Sequence, residues 1–179
     1  MNSPLPGIRR QRLVAVVAII LIAPSLAQEP PGEARRLSFY HTHTAETLEV
    51  TYFKDGAYVT SALDDLNHFL RDFRTGEAAE MDPAVFDILH EVQRKSGSAG
   101  TFEVISAFRS PATNEMLRSN SGGVAKNSQH LLGKAIDVRL TDLNTAELRD
   151  VALSLGRGGV GYYNKSDFVH VDTGRVRQW

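Results

Sequence analysis

Three side chains in this sequence have the types and spacing to do chemistry together: His130, Asp137 and His170. Two imidazoles and one carboxylate make a catalytic zinc set, three protein ligands with the fourth position left for water. Water on such an ion ionises near neutral pH, and the ion also polarises a carbonyl. Taken singly, each residue has a bland reading: a satisfied polar histidine on a strand, or a charge at a sheet edge. Strand parity argues against applying the bland reading to all three. In the stretch AIDVRL (135–140), Ile136, Val138 and Leu140 share one face and Asp137 shares the other with Arg139. In FVHVD (168–172), the valines share one face while His170 and Asp172 share the opposite one. If both strands keep their β-branched faces in one core, Asp137 and His170 point the same way. His130 precedes Asp137 across a tight Leu-Leu-Gly-Lys connection and can fold back to the same mouth.

The elements that must hold these residues read as follows. Residues 37–40 and 47–53 alternate well enough for strands, with a turn near Asp55-Gly56. Leu63, Leu66, Phe69, Leu70 and Phe73 fall at helical spacing, with Gly76 placed to close that helix. A second helix starts at Asp82 as N-cap with Pro83 behind it and ends near Gly97. Residues 102–108 read as a strand and 111–119 as a short helix. Asn144 with Glu147 caps a helix stopped by Gly156. Residues 159–163 and 168–171 supply the last strand signals. The expected fold is α+β: a single domain with a small antiparallel sheet carrying the site and helices packed on one face.

Composition bounds the partners. A net charge of −1 with 23% charged residues gives no field that would draw nucleic acid or an acidic lipid surface. There is no cysteine, so neither a thiol nucleophile nor thiolate zinc ligands are available. Arg9, Arg10 and Arg12 precede the apolar run LVAVVAIILI, and Pro24 and Ser25-Leu26-Ala27 follow it. That run is about half of the roughly 20 residues that span a bilayer. Residues 1–27 therefore read as a secretory signal peptide, with the Arg9-Arg10 pair compatible with twin-arginine export; the competing reading is a membrane anchor. Residues 28–36 (QEPPGEARR) read as a disordered leader, and 37–179 as the functional domain, a monomer without a stable membrane span.

The stretch Ser128-x-His130-x-x-Gly133-x-Ala135-x-Asp137 matches SxHxxGxAxD, the motif of zinc peptidases of the D-alanyl-D-alanine carboxypeptidase (VanX/VanY-like) superfamily. Phe168-Val169-His170 resembles the second motif of that superfamily, and the segment 105–110 (ISAFRS) its upstream motif. LNHFLRDFR, GGVGYY and FVHVDTG resemble more specifically its exported bacterial murein endopeptidases. The resemblance implies zinc, one ion per chain, on His130, Asp137 and His170. It implies that Arg109 faces the scissile carbonyl or a substrate carboxylate, where the bland alternative is a surface arginine. Ser128 becomes a substrate-facing or ligand-supporting hydroxyl, or else a plain turn serine. Many members carry a glutamate general base three residues before the last ligand, a position held here by Asp167. Spacing thus favours Asp167 as base, while parity makes Asp172 its rival. His41-x-His43 reads as a strand start rather than a second ligand pair, and His68 and His90 as helix-surface residues.

Two function classes compete on these grounds. One is an exported zinc peptidase acting on peptidoglycan stem peptides or cross-links, in the periplasm or cell envelope, with a role in wall remodelling. The other is a non-hydrolytic peptidoglycan-peptide binding module on the same fold. A metal-independent envelope protein is what remains if every residue takes its bland reading.

Overall fold

The computed structural model describes residues 33–121 and 123–179. The signal peptide expected over residues 1–27 and the first part of the leader lie outside the described residues. The first strand, β1 (Arg35–His41), begins inside the stretch read as a disordered leader. Arg35 is what orders it: its guanidinium binds Asp87 at 2.8 Å and stacks 4.3 Å from the Phe53 ring centre. β1 is followed by β2 (Thr47–Lys54), β3 (Ala57–Tyr58), α1 (Thr60–Phe69), α2 (Pro83–Ser96) and β4 (Phe102–Ser106). Then come α3 (Pro111–Asn120), a 3₁₀ turn (Gln129–Leu132), β5 (Ala135–Leu140), α4 (Thr145–Leu155), β6 (Gly159–Tyr163), β7 (Phe168–Asp172) and β8 (Arg177–Gln178).

Among the described residues the strands form one eight-stranded sheet in the order β3-β2-β1-β4-β5-β7-β6-β8. The α+β class holds, and the part that carries the site, β4-β5-β7-β6, is antiparallel as expected. The whole sheet is larger than expected and mixed, because β1 pairs with β4 in parallel and β6 with β8 in parallel. A parallel neighbour needs a long crossover, and α1 and α2 supply the one between β1 and β4.

One apolar cluster joins alternate strand residues (Leu37, Phe39, Tyr52, Val104, Ile136, Val138, Val169) to Leu66 of α1, Val85, Phe86 and Leu89 of α2, and Leu148 of α4. Each such fully buried side chain contributes on the order of 1.5–3 kcal/mol. Ile136 and Val138 are 0% exposed within this cluster, which commits Asp137, between them, to the other face. The parity argument therefore holds: Asp137 pairs with His170 directly across β5 and β7.

One helix ends earlier than expected, for a visible reason. α1 stops at Phe69 rather than running through Phe73. Buried Asp72 accepts the backbone N–H groups of Arg74 (3.0 Å) and Ser110 (2.9 Å), which turns the chain out of helix. Phe73 stacks instead on His43, ring centres 4.0 Å apart. His41 and His43 lie at the end of β1 and in the turn after it, not at a strand start, with His41 packed edge-on against Phe69 and Phe73. The caps of α2 and α4 are as expected: Asp82 accepts from Ala84 N and Asn144 from Glu147 N, with Gly97 and Gly156 closing in the left-handed region. No helix among the described residues is long and apolar enough to cross a membrane.

Candidate metal centre

His130, Asp137 and His170 converge, each buried, with one potential ligand atom apiece within 4.8 Å of the others. The edges of this triangle are His130 Nε2 to His170 Nδ1 at 3.2 Å, His130 Nε2 to Asp137 Oδ1 at 3.3 Å, and His170 Nδ1 to Asp137 Oδ1 at 2.8 Å. A tetrahedral zinc ion with bonds near 2.0–2.1 Å has ligand–ligand edges of about 3.3 Å, so the triangle has the size of one face of such a site.

The remaining ring nitrogens fix the tautomers. His130 Nδ1 lies 2.7 Å from the carbonyl oxygen of Ala107, and His170 Nε2 lies 2.9 Å from Asp172 Oδ2. Each acceptor takes the ring N–H and leaves the other nitrogen's lone pair for the centre, the arrangement that supports metal-bound imidazoles. The His170 Nδ1 position toward Asp137 is favoured for a second proton, which a metal ion would displace. Burial works to lower the His170 pKa, but hydrogen bonds to Asp137 and Asp172 outweigh it and raise it to about 9. Burial lowers His130. Burial works to raise the Asp137 carboxyl, but the two imidazoles outweigh it and hold it well below the usual carboxylate range. The position between these groups therefore favours a cation. The residues fit a metal ion by donor type, spacing and charge.

Local structure explains how each ligand arrives. β4 ends at Ser106 rather than Phe108 because the next backbone groups turn to the site: Ala107 O takes the His130 ring N–H, and Arg109 N donates to His130 O at 3.2 Å. Ser128 is the N-cap of the 3₁₀ turn that carries His130, and its side chain accepts from His130 N. It also lines the cleft, so the turn role and the cleft-facing position coexist. Gly133, φ 65°, makes the reversal between the two ligands, and a Cβ there would strike the Glu80 carbonyl. The close approach joins the start of α2 to the centre. Asp82 N donates to Gly133 O (2.9 Å), and the Asp82 side chain accepts from Thr173 Oγ1 (2.7 Å), just beyond β7.

Beside the centre lies a cleft of about 450 Å³ lined in part by Arg109, Ser128, Tyr163, Phe168 and Trp179. Arg109 is 9% exposed, with Nη2 3.7 Å from Asp137 Oδ2 and 3.3 Å from Ser106 Oγ. Burial lowers its pKa from the usual arginine value. Its Nε is buried without a partner among the described residues.

The two expected bases are not brought to that position. Asp167 is in the left-handed region at φ 51°, and its carboxylate accepts from Thr145 Oγ1 of α4 at 2.7 Å and lies 3.5 Å from Arg139. The αL residue, at the start of β7, turns the carboxylate toward Thr145 and Arg139, so family spacing does not deliver it to the cleft. Asp172 is 0% exposed, and both oxygens are saturated: Oδ1 by Gly159 N, Gly174 N and Arg177 Nη1, Oδ2 by His170 and Arg177 Nη2. It orients a ligand and is not free to take a proton. His68 and His90 sit on α1 and α2, away from the centre.

Residue type alone does not single out Ala107, Arg177, Tyr163 or Trp179. A backbone carbonyl leaves no sequence signal. The alternation Gly159-x-Gly161-x-Tyr163, with Arg177-x-Trp179 after it, is the available hint for the other three.

The chain matches a family model described as peptidoglycan L,D-endopeptidase MepK over residues 29–179. It is 40% identical over 166 residues to the peptidoglycan L,D-endopeptidase MepK of Escherichia coli (strain K12), covering 93% of this chain and 91% of that protein. The protein of the same name from Shigella flexneri gives the same identity and coverage. The probable peptidoglycan L,D-endopeptidase MepK of Haemophilus influenzae is 39% identical over 167 residues, 93% of this chain and 90% of its own.

Proposed function

The chain belongs to the peptidoglycan L,D-endopeptidase (MepK) family, within the zinc peptidases of the D-alanyl-D-alanine carboxypeptidase superfamily, and we propose that it is a zinc-dependent murein endopeptidase that hydrolyses an L,D peptide bond in peptidoglycan cross-links. It works in the bacterial envelope after export, and its cutting serves wall remodelling. The observation that carries the reading is the triangle of His130 Nε2, Asp137 Oδ1 and His170 Nδ1, with both outer ring nitrogens tied to fixed acceptors.

Zinc supplies Lewis acidity at the scissile carbonyl and lowers the pKa of water. The chain's own residues do the rest. Ala107 O and Asp172 hold the two imidazoles in the tautomers that present lone pairs to the ion. Arg177 holds Asp172 through its two terminal guanidinium nitrogens, at 3.0 and 2.6 Å. Arg109 brings a buried, charged donor to the substrate oxygen that becomes negative as the amide is attacked, where a preorganised donor is worth most. Ser128 offers a hydroxyl at the cleft wall.

The test is digestion of purified sacculi by the full-length protein after removal of any leader, with and without a chelator, followed by mass spectrometry of the released muropeptides. New muropeptides that vanish with chelator and return with zinc are expected, together with about one zinc per chain by metal analysis, lost in His130→Ala, Asp137→Ala and His170→Ala. Zinc-loaded protein that binds sacculi and releases no fragment would instead establish the binding-module reading.

A further inference from the structure

We propose that Tyr163 is a substrate-contacting hydrogen-bond donor of this site and that Trp179 is the positioning residue that aims its hydroxyl. The proposal rests on the peptidase reading above and adds to it two residues from outside the ligand motifs.

The starting observation is a strand face nearly bare of side chains. Alternate strand residues share a face. Gly161 pairs with His170 and Tyr163 with Phe168, so Gly159, Gly161 and Tyr163 of β6 lie on the side that carries the metal ligand. A Cβ on Gly161 would come within 2.6 Å of the Trp179 indole, and one on Gly159 would strike the Arg177 guanidinium. Two adjacent positions on the site face thus make room for two side chains delivered by β8 and the residue after it.

Arg177 is occupied in holding Asp172. Trp179 holds no ligand or ligand partner. It is half exposed, its ring centre 5.2 Å from that of His170. Its one polar side-chain atom, Nε1, donates to the Tyr163 hydroxyl oxygen at 3.0 Å. An indole N–H can only donate, whereas a phenol both accepts and donates. With a lone pair of Tyr163 engaged by Trp179, the phenol keeps its O–H to give away. The Tyr163 ring is held as well, stacked on Phe168 with centres 4.5 Å apart and planes 15° apart. Both rings line the same cleft as His130, Asp137, His170 and Arg109. A partly exposed tyrosine fixed at both ring and oxygen is a preorganised donor, whose value appears where negative charge develops on a substrate oxygen.

The experiment compares wild type, Tyr163→Phe, Trp179→Phe and the double variant, each full-length and zinc-loaded, on a defined cross-linked muropeptide, with zinc content measured in parallel. Tyr163→Phe keeps the stack and should keep the zinc, while kcat falls roughly tenfold or more and KM moves less than about twofold. Trp179→Phe keeps an aromatic wall and loses only the N–H, so it should lower kcat in the wild-type background and change it less than about twofold in the Tyr163→Phe background. A zinc-loaded Tyr163→Phe enzyme with wild-type kcat overturns the donor role. Equal Trp179→Phe losses in both backgrounds overturn the positioning role, because simple packing would be additive. Wild-type protein that carries zinc and cuts nothing fails at the peptidase reading itself, an outcome separate from either of these.

Discussion

Asp172→Asn tests how the metal centre is held. The substitution keeps the shape of a side chain that is 0% exposed and converts one of its two acceptor oxygens into an NH2 donor. Placed at the Oδ1 position, that NH2 would face three donors, Gly159 N, Gly174 N and Arg177 Nη1. Placed at Oδ2 it would face two, His170 Nε2 and Arg177 Nη2. The second orientation is the lesser conflict, and His170 can relieve its share by moving the proton from Nε2 to Nδ1. Nδ1, however, is the atom that closes the ligand triangle, 3.2 Å from His130 Nε2. The relaxed variant has therefore removed a ligand lone pair without touching a ligand. Losses of this kind are about 10- to 100-fold in metal affinity, or about 1.4–2.7 kcal/mol. The donor left facing a donor at Arg177 should cost the metal-free fold a further 1–3 kcal/mol or so. Competition titration against a chromophoric chelator reads the first effect, and thermal melts of metal-free protein read the second. An Asp172→Asn protein with wild-type zinc affinity would refute the tautomer argument.

Arg109→Ala should retain zinc and lower turnover by roughly a hundredfold, the scale for losing an oxyanion donor; steady-state kinetics with parallel metal analysis decides it. Asp167→Asn should leave both zinc content and kcat/KM within about twofold of wild type, since its carboxylate serves Thr145 and Arg139 rather than the cleft; a dead, zinc-loaded variant would return the base to Asp167. Burial works to raise the Asp87 carboxyl, but hydrogen bonds from Tyr58, Arg35 and Tyr52 outweigh it and lower its pKa. A depressed folded pKa means that the stabilisation is fully present above the unfolded value of about 4 and is lost as pH falls through the folded one. Asp87→Asn should thus destabilise by about 1–3 kcal/mol at neutral pH and flatten the acid limb of a denaturation series, and an unchanged acid limb would assign that limb to other carboxylates.

The sequence carries the convergence of Asp137 and His170 because two short strands alternate cleanly. Ile136 and Val138 on one side, and Val169 and Val171 on the other, leave Asp137 and His170 no second choice of face. It carries the caps of α2 and α4 because Asp82, Pro83, Asn144 and Glu147 act on backbone groups within one turn. The sheet order is not legible, since the parallel pairing of β1 with β4 depends on the path of α1 and α2 rather than on either strand's pattern. The place of Asp167 is not legible for a similar reason. Counting three residues back from His170 reaches Asp167, but the chain there is a 3₁₀ turn closed by a left-handed residue, and neither spacing nor parity survives such a turn. Arg177 and Trp179 escape a reading by residue type because their placement depends on the two glycines they lie across.

Asp82 caps α2, receives Thr173 Oγ1 from beyond β7, and through its own N–H holds Gly133 between two ligands. That one residue ties the turn between His130 and Asp137 to the first turn of a helix. For His130 and Asp137 to separate, the Gly133 turn must release Asp82, and α2 then loses its first turn. If a bound ion leaves by that opening, amide hydrogens at the start of α2 should exchange with solvent on the timescale of ion loss, faster in metal-free protein and slower in loaded protein.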